Sequence, residues 1–513
     1  MNMKKNKDEW KKTRFIFSSL SKVAAFSKKT VTGLNKNREG KYSITVIGLG
    51  AGLLALLLLI IMLFVPPFLG MSDDGSFARR INPAGIYHRE DTGENLYFNY
   101  FVREYLSLAP ESGLFAGFTG QRALIFAAKG LDGLFTRDSI FDLRFLALIY
   151  GLLYIPAIVL LVGQAAYRVK TFTESVVIGL AGVIIFADVS YITYFSSFYT
   201  EPLVLISIVF CAGAALALQQ ERHNMFYLIV YTVFGSVLTT IENKYAIAGL
   251  FLGILGVKFV FMNKSLLWRA GCIASVLLLF FSVMFSAAYA PSSFTLSGKY
   301  NAMTRGVLLQ STDPEKTLRE FGIEGAYSIL ADTSSNEQYL LVDPENKDLK
   351  QGFYDRYNSA EIAYYYLKHP RSLVAMLDIS VKAAFNIRRD YSGNFERGAG
   401  MPKMAKSLFW SIWSSFKTNS IPKTIGFLLV LLAAIVLLFR KKSVKIIGGY
   451  RQRSSIPLEV MLVIFCIGVS NAMITIVNSG DAEMIQNLFL FSVSLDLIIY
   501  FSLAEVLHRL KIL

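Results

Sequence analysis

The stretch LLALLLLIIMLFVPPFLGMSDDGSFARR closes a long apolar run with two adjacent carboxylates, Asp73 and Asp74, and follows them with Arg79 and Arg80. A carboxylate whose pKa is set by burial can take a hydroxyl proton. Arginine and lysine can neutralise charge that develops on a departing phosphate. Glycosyl transfer from a lipid phosphate needs both kinds of group, so this spacing raises that chemistry first.

Comparable charges recur beside other apolar runs. FADVSYITYFSSFYTEPL carries Asp188 and Glu201, TTIENKYA carries Glu242 and Lys244, NIRRDYSGNFERG carries Arg388, Arg389 and Asp390, and NSGDAEMIQN carries Asp481 and Glu483. Each has a plain structural alternative. DDG also suits a turn or helix cap, and Glu201 followed by Pro202 suits a helix start that stabilises negative charge. Lys244 also suits a lysine snorkelling at a helix end.

The elements that must hold these residues are membrane helices. A 54% hydrophobic composition and a mean hydropathy of +0.46 over 513 residues place the chain among multi-span membrane proteins. Roughly 20 apolar residues of helix cross a bilayer core. Runs near 44–66, 145–166, 175–190, 201–218, 225–241, 245–262, 270–289, 423–439, 457–477 and 484–506 predict about ten transmembrane helices in an all-α polytopic fold. The first run lacks the short core and small-residue cleavage site of a signal peptide.

Basic residues in short loops resist translocation. The lysine-rich tail before residue 44 therefore stays cytoplasmic. Alternating spans then put Arg168 with Lys170, Arg222, Lys264 with Arg269, the run from Arg440 to Arg453, and Arg509 with Lys511 on the same side. All these turns are basic, which predicts cytoplasmic N- and C-termini and puts both long connecting segments, and the active site with them, on the extracytoplasmic side.

This topology divides the chain into a basic cytoplasmic tail (1–43), an N-terminal transmembrane module (44–289) with a first outer loop (67–144), a large outer loop (290–422), and C-terminal transmembrane helices (423–513). Helical spacing at 10–34 fits an interfacial helix as well as a disordered basic tail. The outer segments read as helices and irregular loops: NLYFNYFVREYLSL and EIAYYYLKHPRSLVAMLDISVKAAFNI have helical spacing, the second broken at Pro370. MPKMAKSLFWSIWSSFKTNSIPK reads as a helix resting on the outer membrane surface.

Several functions are excluded or weakened. Cys211, Cys272 and Cys466 all fall in predicted spans, which leaves the outer loops without disulfides or cysteine metal sites. Four histidines, two of them on the cytoplasmic side, do not suggest a zinc cluster. No nucleotide-binding glycine pattern occurs, which argues against a nucleotide-sugar donor. The +15 net charge lies on cytoplasmic tails and turns, so orientation and anionic membrane lipid explain it without nucleic acid.

A short first span, an acidic pair opening the first outer loop, many spans and a large late outer loop resemble the GT-C membrane glycosyltransferases. SDDGSFARRINPAGIYHR, YFSSFYTEP, KYNAMTRGVLLQSTDPEKTLREFGI and RRDYSGNF resemble the bacterial WsfD-type hexose transferases of surface-glycan biosynthesis. The resemblance implies a polyprenyl-phosphate hexose donor, a glycan or glycopolymer acceptor and inversion at the anomeric carbon. It puts the catalytic acids at Asp73 and Asp74, with Asp73 as base and Asp74 orienting it or the acceptor. Substrate-binding positions would be Arg79, Arg80, Glu201, Lys244, Arg305, Arg388, Arg389 and Tyr391. Ser392 stands where the Tyr-Leu-Gly-Asn pattern has Leu, and Gln486 and Asn487 stand where many relatives carry Arg and His. Metal ligands are unknown, and a divalent cation stays open.

Two other functions share some of these features. A lipid-linked glycan polymerase or ligase also has many spans and a large outer loop, without needing acids after its first span. A lipid-linked sugar transporter needs charges buried mid-span, for which Asp496 is the main candidate.

Overall fold

A computed structural model describes residues 41–89, 97–111, 119–136, 138–167, 169, 171–220, 225–288, 292–335, 346–440, 444–447, 450–453 and 456–510. The readings of residues 1–40, and of Arg168, Lys170, Arg222 and Lys511, lie outside these. The described chain is overwhelmingly helical and has the apolar helices of a polytopic membrane protein.

Seven helices have the length and apolarity of a span: Val46–Phe64, Arg144–Ala165, Glu201–Gln219, Asn243–Val260, Leu266–Ala288, Ile456–Ser479 and Phe489–Arg509. Two bent pairs bring the number to nine. Phe172–Phe186 with Val189–Phe195 turns by 43°, and Ile412–Ser420 with Ile425–Phe439 by 116°. The tenth expected span is the shorter apolar helix Met225–Ile241. The ten apolar runs are therefore all helical, but three depart from straight, full-length spans.

Packing follows residue size. Gly48 and Gly52 let the first helix approach the second so closely that an added Cβ would lie 2.6 Å from the Val159 carbonyl oxygen or 2.5 Å from its Cγ2. Small residues at such crossings admit close backbone contact where lipid offers no hydrophobic drive to associate. Glu201–Gln219 runs through the middle of the bundle, wholly buried.

At one end of the bundle the connecting segments form a cap. Residues 86–142 contain a small antiparallel sheet that the sequence reading did not anticipate. β1 (Ile86–Tyr87) pairs with β2 (Glu104–Ser107), which pairs with β3 (Ile140–Asp142). NLYFNYFVREYLSL is thus not a helix where it is described: it turns at residues 97–99 and enters β2. Its alternating Glu104, Tyr105 and Leu106 obey period two, with Tyr105 fully buried. The helix Gly120–Phe135, capped by Thr119, secures this sheet by donating from Lys129 Nζ to the carbonyls of Ala84, Gly85 and Leu108.

In the long segment, Ser359–Lys368 and Pro370–Ala384 form the expected helix pair, with Pro370 opening the second helix. The helix Ile412–Ser420 does more than rest on a surface. Phe416 and Ile412 are exposed, but Lys417 is fully buried and Trp413 nearly so. Lys417 Nζ meets Asp496 Oδ1 at 2.7 Å, and Trp413 Nε1 donates to Asp496 Oδ2 at 2.9 Å.

Candidate functional site

The acidic pair follows the first span in a tight turn. Asp73 Oδ1 accepts the backbone N–H of Gly75 at 2.8 Å and of Phe77 at 3.2 Å, and Asp74 Oδ1 accepts that of Ser76 at 3.0 Å. Gly75 supplies the positive φ (+90°) the turn requires. The structural reading of DDG as a turn is therefore correct, and one oxygen of each acid remains for other partners.

Those partners differ. Asp74 Oδ2 accepts from Arg389 Nη1 at 2.8 Å, both side chains being almost fully buried. Burial alone would raise the Asp74 pKa, but the Arg389 charge and the Ser76 hydrogen bonds hold it below the usual carboxylate range. Asp73 Oδ2 faces His88 Nε2 at 3.1 Å. His88 directly follows β1, and its ring packs at 5.3 Å from that of Tyr105 on β2.

The DYSGNF stretch is the clamp that brings Arg389 to this turn. Ser72 N–H donates to the Gly393 carbonyl, Gly70 N–H to the Asn394 carbonyl, and Asn394 Nδ2 to the Gly70 carbonyl, each at 3.0 Å. Gly393 N–H donates to Phe98 O at 2.8 Å, and Phe98 N–H to Asp73 O at 2.8 Å. Only glycine fits at 393, where a Cβ would fall 2.1 Å from the Asn99 carbonyl oxygen.

Beside the turn lies a cavity of about 640 Å³, within the usual range of ligand pockets. Five cationic side chains line it, Arg79, Arg80, Arg122, Lys244 and Lys299, together with Glu242 and apolar walls that include Ile125, Ile241, Phe285 and Ile362. Its lining comes from the first connecting segment, the Gly120–Phe135 helix, the turn at 240–244, the long segment and the end of Ile456–Ser479. Asp73 and Asp74 do not line it; Ser76, Arg79 and Arg80 just downstream do.

Glu242 organises these cations. It accepts from Arg80 Nη2 at 3.2 Å and Thr200 Oγ1 at 2.9 Å, while Lys244 Nζ lies 2.8 Å from its other oxygen. Burial opposes its ionisation, yet Lys244 and Arg80 lower its pKa to about 2. Lys244 also donates to Asn487 Oδ1 at 3.0 Å, and Arg80 to Gln121 Oε1 at 3.2 Å.

The residues singled out in the sequence thus fall into four groups. Arg79, Arg80 and Lys244 line the cavity. Asp73, Asp74, Arg389 and Tyr391 gather at the turn, where the Arg389 guanidinium sits 5.1 Å from the Tyr199 ring centroid and 5.5 Å from that of Tyr391. Glu201 is buried at its helix start behind Thr200. Arg388 and Arg305 lie elsewhere. Arg388 is buried against Asn394 Oδ1 at 2.5 Å and Ser407 O at 3.1 Å. Arg305 makes a two-pronged contact with Asp481, 2.7 and 2.8 Å, joining the long segment to the last turn of the same end.

His88, Gln121, Arg122, Lys299 and Asn487 are not among the candidate site residues of the sequence, and Glu242 stands there only as one of the charges beside a span. In the sequence His88 figures only as one of four histidines too few for a zinc cluster, and Asn487 only as a departure from the pattern of the family that the chain resembles. The adjacency of Glu242 to Lys244 was the one usable signal, since long-range partners such as Gln121 carry no local signature. Among the described residues no group of three or more His, Cys, Asp or Glu side chains is placed to hold a metal ion.

No curated protein and no solved structure matches this chain. A family model, that of the YfdI N-terminal transmembrane domain, matches residues 29–513, nearly the whole sequence. With its apolar helices and its charged cap at one end of the bundle, the chain is a polytopic membrane protein that belongs to the family of the YfdI N-terminal transmembrane domain.

Proposed function

We propose that this protein is a membrane glycosyltransferase of the GT-C kind. It moves a hexose from a polyprenyl-phosphate donor to a surface-glycan acceptor on the extracytoplasmic face, with inversion, in the manner of the WsfD-type transferases it resembles. The observation that carries the reading is the cavity in which five cations and apolar walls stand together beside an acidic turn. Cations neutralise the phosphate and the charge left on it when the sugar departs, and apolar walls suit an isoprenoid chain.

The two acids then have unequal tasks. Asp74, ion-paired with Arg389, is a poor proton acceptor and fixes the turn. Asp73 is left to serve acceptor activation. Arg79, Arg80 and Lys244 take the donor phosphate, with Arg122 and Lys299 adding positive charge around it. The transporter alternative needs an uncompensated mid-span charge, and the pairing of Asp496 with Lys417 weighs against it.

The test is incubation of the purified protein with a panel of polyprenyl-phosphate sugars and a glycan acceptor. Acceptor-dependent release of free polyprenyl phosphate from one donor is expected. Donor bound or moved across vesicles without release would replace the transferase reading with transport.

A further inference from the structure

Both oxygens of Asp73 are occupied or covered. Oδ1 receives two backbone N–H groups. Oδ2 is buried, and its neighbour is His88 Nε2 at 3.1 Å, lying off the line of a hydrogen bond. Among the described residues neither Oδ2 nor Nε2 has a hydrogen-bond partner. An acceptor hydroxyl therefore has no open approach to this carboxylate. The imidazole is the more accessible partner, its side chain 21% exposed against 4% for Asp73.

The fold holds this pair from both sides. β1 ends at Tyr87, whose backbone pairs with Leu106, so His88 leaves the sheet next to the buried Tyr105 ring. Tyr97 packs edge-on to the imidazole at 6.0 Å. The backbone bond from Phe98 to Asp73 O ties that aromatic wall to the acidic turn. A carboxylate behind an imidazole fixes its tautomer. Once the imidazole turns to donate from Nε2 to Oδ2, Nδ1 presents a lone pair.

We propose that His88 is the catalytic base toward the acceptor and that Asp73 is the positioning residue behind it, a deepening that rests on the transferase reading above. The acceptor O–H bond breaks and its proton passes to His88 Nδ1. The acceptor oxygen forms the new bond to the anomeric carbon while the bond from that carbon to the phosphate oxygen breaks, and its electron pair leaves on polyprenyl phosphate. Asp73 stabilises the imidazolium, which returns its proton to solvent. Catalytic hydrogen bonds are often poorly aligned without substrate and tighten when it binds, so the 3.1 Å approach of Nε2 to Oδ2, not yet a hydrogen bond, is consistent with the role.

The experiment measures acceptor-dependent release of polyprenyl phosphate by the full chain in detergent or vesicles, alongside donor-lipid binding and thermal unfolding. His88→Gln keeps the volume and is expected to bind donor and to lose on the order of 10²–10⁴-fold in kcat. His88→Ala is expected to fall similarly and to regain turnover when free imidazole is added. Asp73→Asn should lose a comparable factor, and the double variant no more than the worse single one, because the two act as a unit. Near-normal turnover by His88→Gln, absence of imidazole rescue in folded His88→Ala, or multiplicative losses in the double variant would overturn the pair. Wild-type turnover in the same assay tests the transferase reading itself, so an active wild type with any of these results removes the His88 assignment alone.

Discussion

Asp74 and Arg389, 315 positions apart in sequence, meet at 2.8 Å with side chains 7% and 2% exposed. This contact joins the turn after the first span to the end of the long segment, so the cap is one structure rather than two independent loops. Removing one partner strands a buried charge, which costs about 3–5 kcal/mol. Asp74→Asn and Arg389→Ala should each lower the thermal midpoint strongly. Asp74→Leu combined with Arg389→Met should recover much of the loss, since apolar replacement of a buried pair is often near neutral. A double variant as unstable as the singles would mean that the pair is not the source of the effect.

The pH dependence has a definite sign. The pKa values of Asp74 and Glu242 are both depressed in the folded state, Glu242 to about 2. Carboxylates of this kind contribute stability that is complete above the unfolded pKa, about 4, and is lost as pH falls through the folded value. The thermal midpoint should therefore be insensitive to these groups from pH 7 to about 5 and fall between about 4 and 2. In Glu242→Gln the share of that fall due to Glu242 should vanish. A decline that begins near neutrality and disappears in Glu242→Gln would contradict the assignment.

What the sequence revealed follows from the range of the forces involved. Spans are legible because lipid demands a contiguous apolar run, and all ten runs are helical. The acidic pair is legible because Asp73 and Asp74 are neighbours in a polar turn. The ion-pair partners are not, because Arg389 reaches Asp74 and Asn487 reaches Lys244 only through tertiary packing. The β1–β3 sheet was misread because its strands are two to four residues long, too short for a period-two pattern to outweigh helical spacing. Arg388 shows how little adjacency fixes. It stands next to Arg389 in the sequence, but the two side chains diverge, one to Asn394 and the other to Asp74.

Gly393 sets how closely the clamp can dock. Its N–H donates to Phe98 O at 2.8 Å and to Ser72 Oγ at 3.1 Å. Gly393→Ala puts a Cβ where the Asn99 carbonyl oxygen stands, 2.1 Å away, and backbone cannot yield as a side chain would. The expected cost is about 2 kcal/mol or more, seen as a lower unfolding midpoint. Wild-type stability would show that the clamp adjusts freely.

Donor affinity separates the two cations that the sequence treated alike. Lys244 lines the cavity, and losing a charge-assisted contact to phosphate costs about 1.5–3 kcal/mol, roughly 10- to 100-fold in Kd. Lys244→Ala should weaken binding of polyprenyl-phosphate sugar by that factor. Arg388 is buried away from the lining residues, so Arg388→Ala should lower stability while the folded fraction binds donor normally. Titration of labelled donor against each variant, normalised to folded protein, decides the matter. Equal losses would place Arg388 at the phosphate after all.

Lys417 and Asp496 form the most deeply buried ion pair of the bundle's last helix, both side chains fully excluded from solvent. Lys417 also donates to Ser492 Oγ at 2.8 Å and to the Ser492 carbonyl at 3.1 Å, and Tyr191 OH donates to Asp496 Oδ2 at 2.5 Å. A charge paired this closely in a fully buried site is poorly suited to release and rebind a passing ion or sugar phosphate. It is well suited to anchor the bent helix Ile412–Ser420 against Phe489–Leu510. Lys417→Met should destabilise by about 3–5 kcal/mol, and Lys417→Met with Asp496→Leu should restore most of the stability. If the double variant is stable and its hexose transfer per folded molecule matches wild type, the pair is an anchor. Selective loss of transfer by that stable double variant would instead place these charges on the working path of the substrate.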